Sequence, residues 1–448
     1  MKTLQNFQYN HVLVLGLAKS GKAAAQLLYD SGVSFLINDQ KPFLENEPAQ
    51  YFNNLGVKTV TGHHPVEVLE GVDLVVKNPG IPYHHNIIQE AERLNIPVVT
   101  EVELAYELID GPLIAITGTN GKTTTTSLIY EILKEANKNP IIAGNIGQVA
   151  SQVVRQQEGE QPVVMELSSF QLKATQNFKP DLSVLLNITE AHLDYHQTRE
   201  DYVNSKLNMI KRQTTDDLLI YNQDDSTVNR YINEGEVKTT PFTLKGLLKE
   251  GVSYDGQWVY YNQKPLIKRK SIVLPGLHNL ENVLASIAVA KAFQVSDEHI
   301  RNVLSRFIGV KHRLQFVKNK AGRSFYNDSK ATNILATRKA LQSFDQPIVL
   351  IAGGLDRGNE FDELFEQFEH VKHCVTYGQS AGKIAKAAQS NQFTEVSIVD
   401  DLEQATKQAF EVSDEGDIIL LSPACASWDQ FKSFEGRGDM FIDVVHKL

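Results

Sequence analysis

Residues 117–124 read Thr-Gly-Thr-Asn-Gly-Lys-Thr-Thr, side chains and glycines of the kind that hold a polyphosphate. Gly118 and Gly121 permit a tight turn and close backbone approach, Lys122 offers a cation to terminal phosphates, and Thr123 is a candidate Mg²⁺ ligand. The full phosphate-loop signature G-x-x-x-x-G-K-[ST] would place its first glycine at position 116, which is Ile116. Only the shorter loop remains, yet it follows an apolar strand and opens a helix, the setting such a loop requires. Further along, Glu166 closes the apolar run PVVMELSSF, where a charge is costly unless it is paired or bound to metal. His192, Asp194 and His196 alternate in NITEAHLDYH. Alternate spacing with no cysteine and no His-Glu-x-x-His helix argues against zinc. Lys206 lies on or beside the apolar stripe (Val203, Leu207, Ile210) of a helix over REDYVNSKLNMIKR, where a bare ammonium is unfavourable.

Strands alternating with helices must position these groups, the pattern of doubly wound parallel sheets. The first segment reads as strand HVLVLGL, helix KAAAQLLYDSG and strand SFLIND, with VDLVVKN and IPVVT as later strands, and closes near Gly111-Pro112. The second opens with LIAIT and the glycine turn and continues through VVMELS and LSVLLNI. It then forms a hairpin VSYDGQWVYY turning at Asp255-Gly256 and a helix ENVLASIAVAKAF. The third alternates again from SFYND to DIILLS, with EFDELFEQF among its helices. The fold expected is α/β in three domains: a central P-loop ATPase-like parallel sheet over 101–309, flanked by Rossmann-like domains over 1–100 and 310–448. In open sheets of this kind ligands bind outside the carboxyl ends of the strands, which places Glu166 near the glycine turn.

Bulk properties narrow the class. The chain has 448 residues, 42% of them hydrophobic and 22% charged, and a formal net charge of −10. That balance argues against a general nucleic-acid binder, which needs a basic face. Two cysteines make no disulfide framework and suit a reducing cytosol. The apolar run at residues 11–18 is too short for a signal peptide or a membrane span. A cytoplasmic, monomeric protein with no nucleic-acid or membrane partner is expected.

Taken in order, GTNGKTT, MELSSFQL, NITEAHLDYH with YVNSK, LPGLHNLENVLAS, HRLQFV, NDSKATN and LSPACASWDQF resemble the Mur ligase family along essentially the whole chain. GTNGKTT and the His-Asn-x-x-Asn pattern are shared with folylpolyglutamate synthases, whereas NDSKATN and SPACASWDQF are closer to the member that adds D-glutamate. The resemblance implies an ATP-dependent ligase joining D-glutamate to UDP-N-acetylmuramoyl-L-alanine in peptidoglycan precursor synthesis. It implies that Gly118, Thr119, Asn120, Gly121, Lys122, Thr123 and Thr124 hold the triphosphate, with Thr123 and Glu166 on one Mg²⁺. A second Mg²⁺ would lie on His192 and Lys206, the lysine being carbamylated and thereby turned from a cation into a carboxylate-like ligand. Asn279 and Asn282 match contacts on the adenine side. His312, Arg313 and Asp328 match further ATP contacts, Lys330 a basic group at the reaction centre, and Asn145 a contact to the muramoyl substrate.

In the first segment Gly16-Leu17-Ala18-Lys19-Ser20-Gly21 lacks the middle glycine of a G-x-G-x-x-G dinucleotide fingerprint, which argues against NAD. The resemblance instead gives Leu17, Ala18, Asp39, Gln40 and Gly80 to the uridine diphosphate of the substrate. In the third it gives Thr332, Arg357, Ser427 and Phe434 to D-glutamate. Arg357 departs from the family, where lysine is common, and a guanidinium grips a carboxylate bidentately where an ammonium is a point charge. Closure of the third domain onto the second is expected to complete the site. Two rivals remain open on sequence: another ligase of the same architecture, either folylpolyglutamate synthase-like or a neighbouring Mur enzyme, and a nucleotide-dependent switch without ligation.

Overall fold

The computed structural model of the chain describes residues 1–145, 148–189, 191–232 and 237–448, excepting the side chain of Asp194. Its strands form three sheets among the described residues, of five, nine and six strands. The chain divides into two compact units. Met1–Arg269 with Glu281–Val303 holds the first two sheets, and Lys270–Leu280 with Leu304–Leu448 holds the third.

The first sheet is parallel throughout, in the order β3-β2-β1-β4-β5. These strands are Lys58–Thr61, Ser34–Asp39, His11–Leu15, Leu74–Lys77 and Val98–Val99. The apolar, largely buried runs of β1, β2 and β4 suit strands covered on both faces, whereas β3 (KTVT) lies at the more exposed edge. The helix Lys19–Asp30 packs down closely on the turn after β1, because a Cβ on Gly21 would lie 1.8 Å from the Gly16 carbonyl oxygen.

The second sheet is centred on β6 (Leu113–Thr117), which lies between β8 (Val163–Glu166) and β9 (Leu182–Leu185). Beyond β8 lies β7 (Ile141–Gly144). Beyond β9 follow β10 (Leu218–Asn222), β11 (Lys238–Thr243) and an edge meander, β12 (Val252–Tyr254), β13 (Trp258–Tyr261) and β14 (Lys264–Lys268). The chain thus leaves β6 at a topological switch point, the crevice where α/β sheets bind ligands. The hairpin turns one residue later than Asp255-Gly256 would give. Asp255 donates its N–H to Trp258, and Gly256, at φ +101°, takes the first central position. The Asp255 carboxylate accepts from the Gln257 and Trp258 amides, and this fixes the shift.

In the third sheet β16 (Arg323–Asn327), β20 (Ile418–Leu421), β17 (Ile348–Gly353), β18 (Val371–Tyr377) and β19 (Val396–Val399) run parallel, with β15 (Gln315–Lys320) antiparallel at the edge. Apolar clusters cover the sheet on both faces. EFDELFEQF gives only a single helical turn, Asp362–Phe365. The chain then leaves the helical path, and Phe368 packs tilted on Phe365 and edge-on against Phe393. No helix among the described residues is long and apolar enough to cross a membrane.

Candidate active site

Thr117 ends β6, and the glycine turn leads directly into the helix Lys122–Glu135. Gly121 stands at φ +83°, and a Cβ there would lie 2.1 Å from Oδ1 of Asn282, so glycine is required on both backbone and steric grounds. The same Asn282 oxygen accepts from the Thr125 hydroxyl at 3.2 Å. Asn282, read from sequence as a nucleotide contact, therefore also braces the turn. Asn187, at the end of the neighbouring strand, holds it from the other side. Its carbonyl accepts the Thr119 N–H and its side chain the Asn120 N–H, both at 2.8 Å. Lys122 folds back so that Nζ donates to the carbonyls of Gly118 and Thr119, each at 2.9 Å.

Glu166 is 2% exposed and pairs in register with Ile116, one strand over from the turn. One of its oxygens accepts from the Asn145 side-chain amide at 2.9 Å, while the other is buried with no hydrogen-bond donor. An ionised oxygen so placed is expensive unless a cation completes it. Asn145, assigned from sequence to the muramoyl substrate, thus orients the candidate metal ligand, and its own N–H donates to the Glu166 carbonyl.

Lys206 comes from the helix Arg199–Leu207, started by the Thr198 hydroxyl accepting from the Asp201 N–H. The buried residues of this segment are Tyr202, Val203, Ser205, Lys206 and Met209, with Leu207 and Ile210 only partly covered. The stripe is rotated from the one read in the sequence, and Lys206 sits inside it. Its Nζ donates to Gly118 O at 2.8 Å and lies 4.8 Å from the Tyr202 ring centroid. Burial, then the charge of Lys122, pulls its pKa well below the ordinary lysine value, with Glu166 opposing. The Tyr202 hydroxyl meets the Thr119 hydroxyl at 2.9 Å, and its ring lies 6.3 Å from that of His192. Tyr202 therefore links the phosphate turn to both Lys206 and His192. The sequence placed Tyr202 only beside the apolar stripe, with no role, and did not single out Asn187.

No group of three or more His, Cys, Asp or Glu among the described residues is arranged to hold a metal. Both ring nitrogens of His196 face protein groups, the Asp201 carboxylate at 3.0 Å and the Ser169 hydroxyl at 2.9 Å. The donor set does fit Mg²⁺ if Lys206 is converted to an anion, because one buried Glu166 oxygen has no hydrogen-bond donor and Lys206 Nζ lies against the phosphate turn.

At the carboxyl edge of the first sheet, Asp39 is fully engaged by its own chain. It accepts from Leu17 N at 2.6 Å, Lys41 N at 2.8 Å and the Asn46 amide at 3.0 Å. Leu17 is buried by that turn, whereas Ala18, Gln40 and Gly80 are exposed.

In the second unit the loops after β16, β20 and β17 leave adjacent strand ends. The Asp328 carboxyl accepts from Leu314 N and the Ser422 hydroxyl, and burial pushes its pKa up to about 7 against the pull of Arg313. The Lys330 N–H donates to His312 O at 3.0 Å, while its Nζ lies 5.3 Å from the Phe434 ring. Thr332 is half-buried and Ser427 buried. Arg357 is exposed, its guanidinium 4.8 Å from the ring of Trp428. Asn279 donates to Pro275 O at 2.8 Å. The residue that organises these loops was missed. Arg437, 0% exposed, donates to Ser329 Oγ at 2.9 Å, Ser329 O at 2.8 Å and Cys425 O at 3.0 Å. It lies on the closing helix Phe434–Lys447, where FEGRGDMF gives no hint that its arginine points inward.

Models of the Mur ligase MurD-like N-terminal domain, the Mur ligase middle domain and the Mur ligase glutamate ligase domain match residues 10–100, 116–290 and 312–425. The UDP-N-acetylmuramoylalanine--D-glutamate ligase of Bacillus subtilis (strain 168) is 52% identical over 100% of both chains. The chain belongs to the Mur ligase family. The enzyme of the same name from Geobacillus kaustophilus is also 52% identical over the full length of both. Among solved Mur ligases, UDP-N-acetylmuramate-alanine ligase MurC of Thermotoga maritima superposes with a TM-score of 0.59 at 19% identity, covering 98% of this chain and 100% of its own. MurF ligase of the same organism, in complex with ADP, gives 0.57 at 18%, covering 99% and 97%. These likenesses support the fold of this Mur ligase.

Proposed function

We infer that this chain is the ATP-dependent ligase that forms the amide between the alanyl carboxylate of UDP-N-acetylmuramoyl-L-alanine and the amine of D-glutamate, in peptidoglycan precursor synthesis. The observation that carries this reading is 52% identity across the whole chain to D-glutamate ligases.

A carboxylate is a poor electrophile, so ATP must first convert one of its oxygens into a leaving group. The phosphate turn, the N-terminus of the Lys122–Glu135 helix and Lys122 bind and orient the triphosphate. The Lys122 donors now satisfied by Gly118 and Thr119 carbonyls are the ones a phosphate would take. Transfer of the γ-phosphoryl gives an acyl phosphate, which the D-glutamate amine attacks with loss of phosphate. No side-chain nucleophile is needed, and positioning carries the reaction. Thr123 with Glu166, and His192 with Lys206, are the groups that would hold two Mg²⁺ ions, which when bound supply charge screening between the two reacting anions. Burial lowers the Lys206 pKa and so favours the free amine, the form that adds CO₂ and releases a proton to give the carbamate this role requires. Leu17, Ala18, Asp39, Gln40 and Gly80 frame the uridine diphosphate site, Asp39 by holding the turn. Asn279, Asn282, Arg313 and Asp328 complete the nucleotide site. Thr332, Arg357, Ser427 and Phe434 meet D-glutamate, with Lys330 beside them and Arg437 fixing their loops. The enzyme acts as a cytoplasmic monomer in three domains, with boundaries near residues 100 and 310.

The test is ADP release with one component omitted at a time. Turnover should need both UDP-N-acetylmuramoyl-L-alanine and D-glutamate. Activity with L-glutamate and a folate, or ATP hydrolysis indifferent to both substrates, would overturn the reading.

A further inference from the structure

The single-turn helix Leu193–His196 is bracketed by two non-glycine residues at positive φ, His192 in left-handed backbone at φ +57° and Gln197 at φ +63°. Such conformations persist only where surrounding contacts hold them, and here the first is the candidate metal ligand. Two anchors do the holding. His196 is fixed by Asp201 and Ser169 from within the same domain. Tyr195 reaches instead to the first sheet, where its hydroxyl lies 2.9 Å from the carbonyl of Pro79 and 3.2 Å from that of Ile81.

Beneath this hydroxyl lies Lys77, the last residue of β4 and 1% exposed. Its Nζ donates to Tyr195 Oη at 3.0 Å, to Pro79 O at 3.2 Å and to Asn78 O at 3.3 Å. A phenol has one proton. With Lys77 donating to its oxygen, that proton is aimed at the carbonyls of the 78–81 loop. A phenylalanine would fill the same space, since the Tyr195 ring already packs 4.2 Å from that of Phe170. The hydroxyl is therefore there for the loop.

The loop's other side faces the turn after β1. Asn78 donates its side-chain amide to Ser20 Oγ at 3.1 Å and its N–H to Leu15 O at 2.8 Å. A Cβ on Gly16 would lie 2.9 Å from the Ile81 side chain. The 78–81 loop is thus clamped between the turn assigned above to the uridine diphosphate and the residue three positions from His192. We propose that Tyr195 is a positioning residue that couples occupancy of the 78–81 loop by a uridine diphosphate to the setting of His192 beside the phosphate turn. This rests on the substrate reading of the first domain.

Coupling of this kind is reciprocal and can be measured by binding alone. The probe is UDP, which carries no muramoyl group, and Mn²⁺ affinity is referred to the free ion because the diphosphate itself chelates it. The affinity of the ADP-bound enzyme for Mn²⁺ is measured by calorimetry with and without UDP. In the wild-type chain UDP should tighten Mn²⁺ by about fivefold or more, and Mn²⁺ should tighten UDP by the same factor. Tyr195→Phe should bring that factor to about one while leaving ADP affinity unchanged and the melting temperature within about 2 °C. Lys77→Met, which removes the donor aiming the proton, should lower the factor as well. A Tyr195→Phe chain that keeps the wild-type factor, or a wild-type chain with none, overturns the proposal. A wild-type chain that binds Mn²⁺ but not UDP would strike the substrate reading itself, and the proposal with it.

Discussion

Two buried lysines show how position decides chemistry at the scale of single residues. Lys206 was legible in the sequence, because helical spacing put it beside an apolar stripe. Lys77 was not, because one residue at the end of a strand has no periodicity to betray which way it points. Lys206 lies against the phosphate turn and a carboxylate, the setting for a modified metal ligand. Lys206→Ala should abolish turnover, with partial recovery on adding a small carboxylate such as formate; an alanine variant with full activity would remove the carbamate from the account. Lys77 lies among carbonyls and tyrosine rings, and burial, then the charge of Lys173, draws its pKa down to about 7. The unfolded chain therefore holds a proton on Lys77 that the folded chain lacks between pH of about 7 and the ordinary lysine value, so folding stability rises with pH through that window. Below it the cost of burying the charge is fully present. The melting temperature of Lys77→Met relative to wild type should be highest near pH 6 and fall steadily toward pH 9. The slope should be no more than about 1.4 kcal/mol per pH unit. A difference that does not change with pH would show that the amine does not titrate in this range.

At the scale of elements, the strand ends were easier to read than what they carry. The runs LIAIT and VVMELS gave β6 and β8 almost to the residue, because strands buried on both faces have an unbroken apolar signature. The glycine turn was legible for the same reason, since glycines between a strand and a helix have few other uses. Its braces were not. Asn187 and Asn282 are remote from the turn in sequence, and side-chain hydrogen bonds to backbone leave no pattern. EFDELFEQF, read as a helix from its spacing, keeps only its first turn, and Phe368 packs beyond it on Phe365 and Phe393. Gly121→Ala tests the turn. Left-handed backbone on alanine costs roughly 1–2 kcal/mol, and the clash with Asn282 adds to it. ADP affinity should fall by at least about tenfold, equivalent to 1.4 kcal/mol, with UDP affinity nearly unchanged. Equal loss of both would point to general unfolding.

At the scale of the whole molecule, the chain divides into two compact units, and each should melt on its own terms. Arg437→Met leaves four carbonyl or hydroxyl groups without their donor in the second unit. It should lower one calorimetric transition by about 2–4 kcal/mol and raise the KM for D-glutamate. The other transition should keep its response to UDP, which at a hundredfold excess over Kd stabilises by about 2.7 kcal/mol. Both transitions falling together would mean that Arg437 supports the whole chain. The claim on which all of this depends is that the protein uses ATP to activate the alanyl carboxylate for attack by D-glutamate. The most direct measurement supplies ATP, D-glutamate and UDP-N-acetylmuramoyl-L-alanine labelled with ¹⁸O in that carboxylate, and reads the products by mass spectrometry. The account predicts the D-glutamyl amide with one label lost, that label recovered in inorganic phosphate, and no amide from L-glutamate. Amide formed without label in the phosphate, or ADP formed without amide, would contradict it.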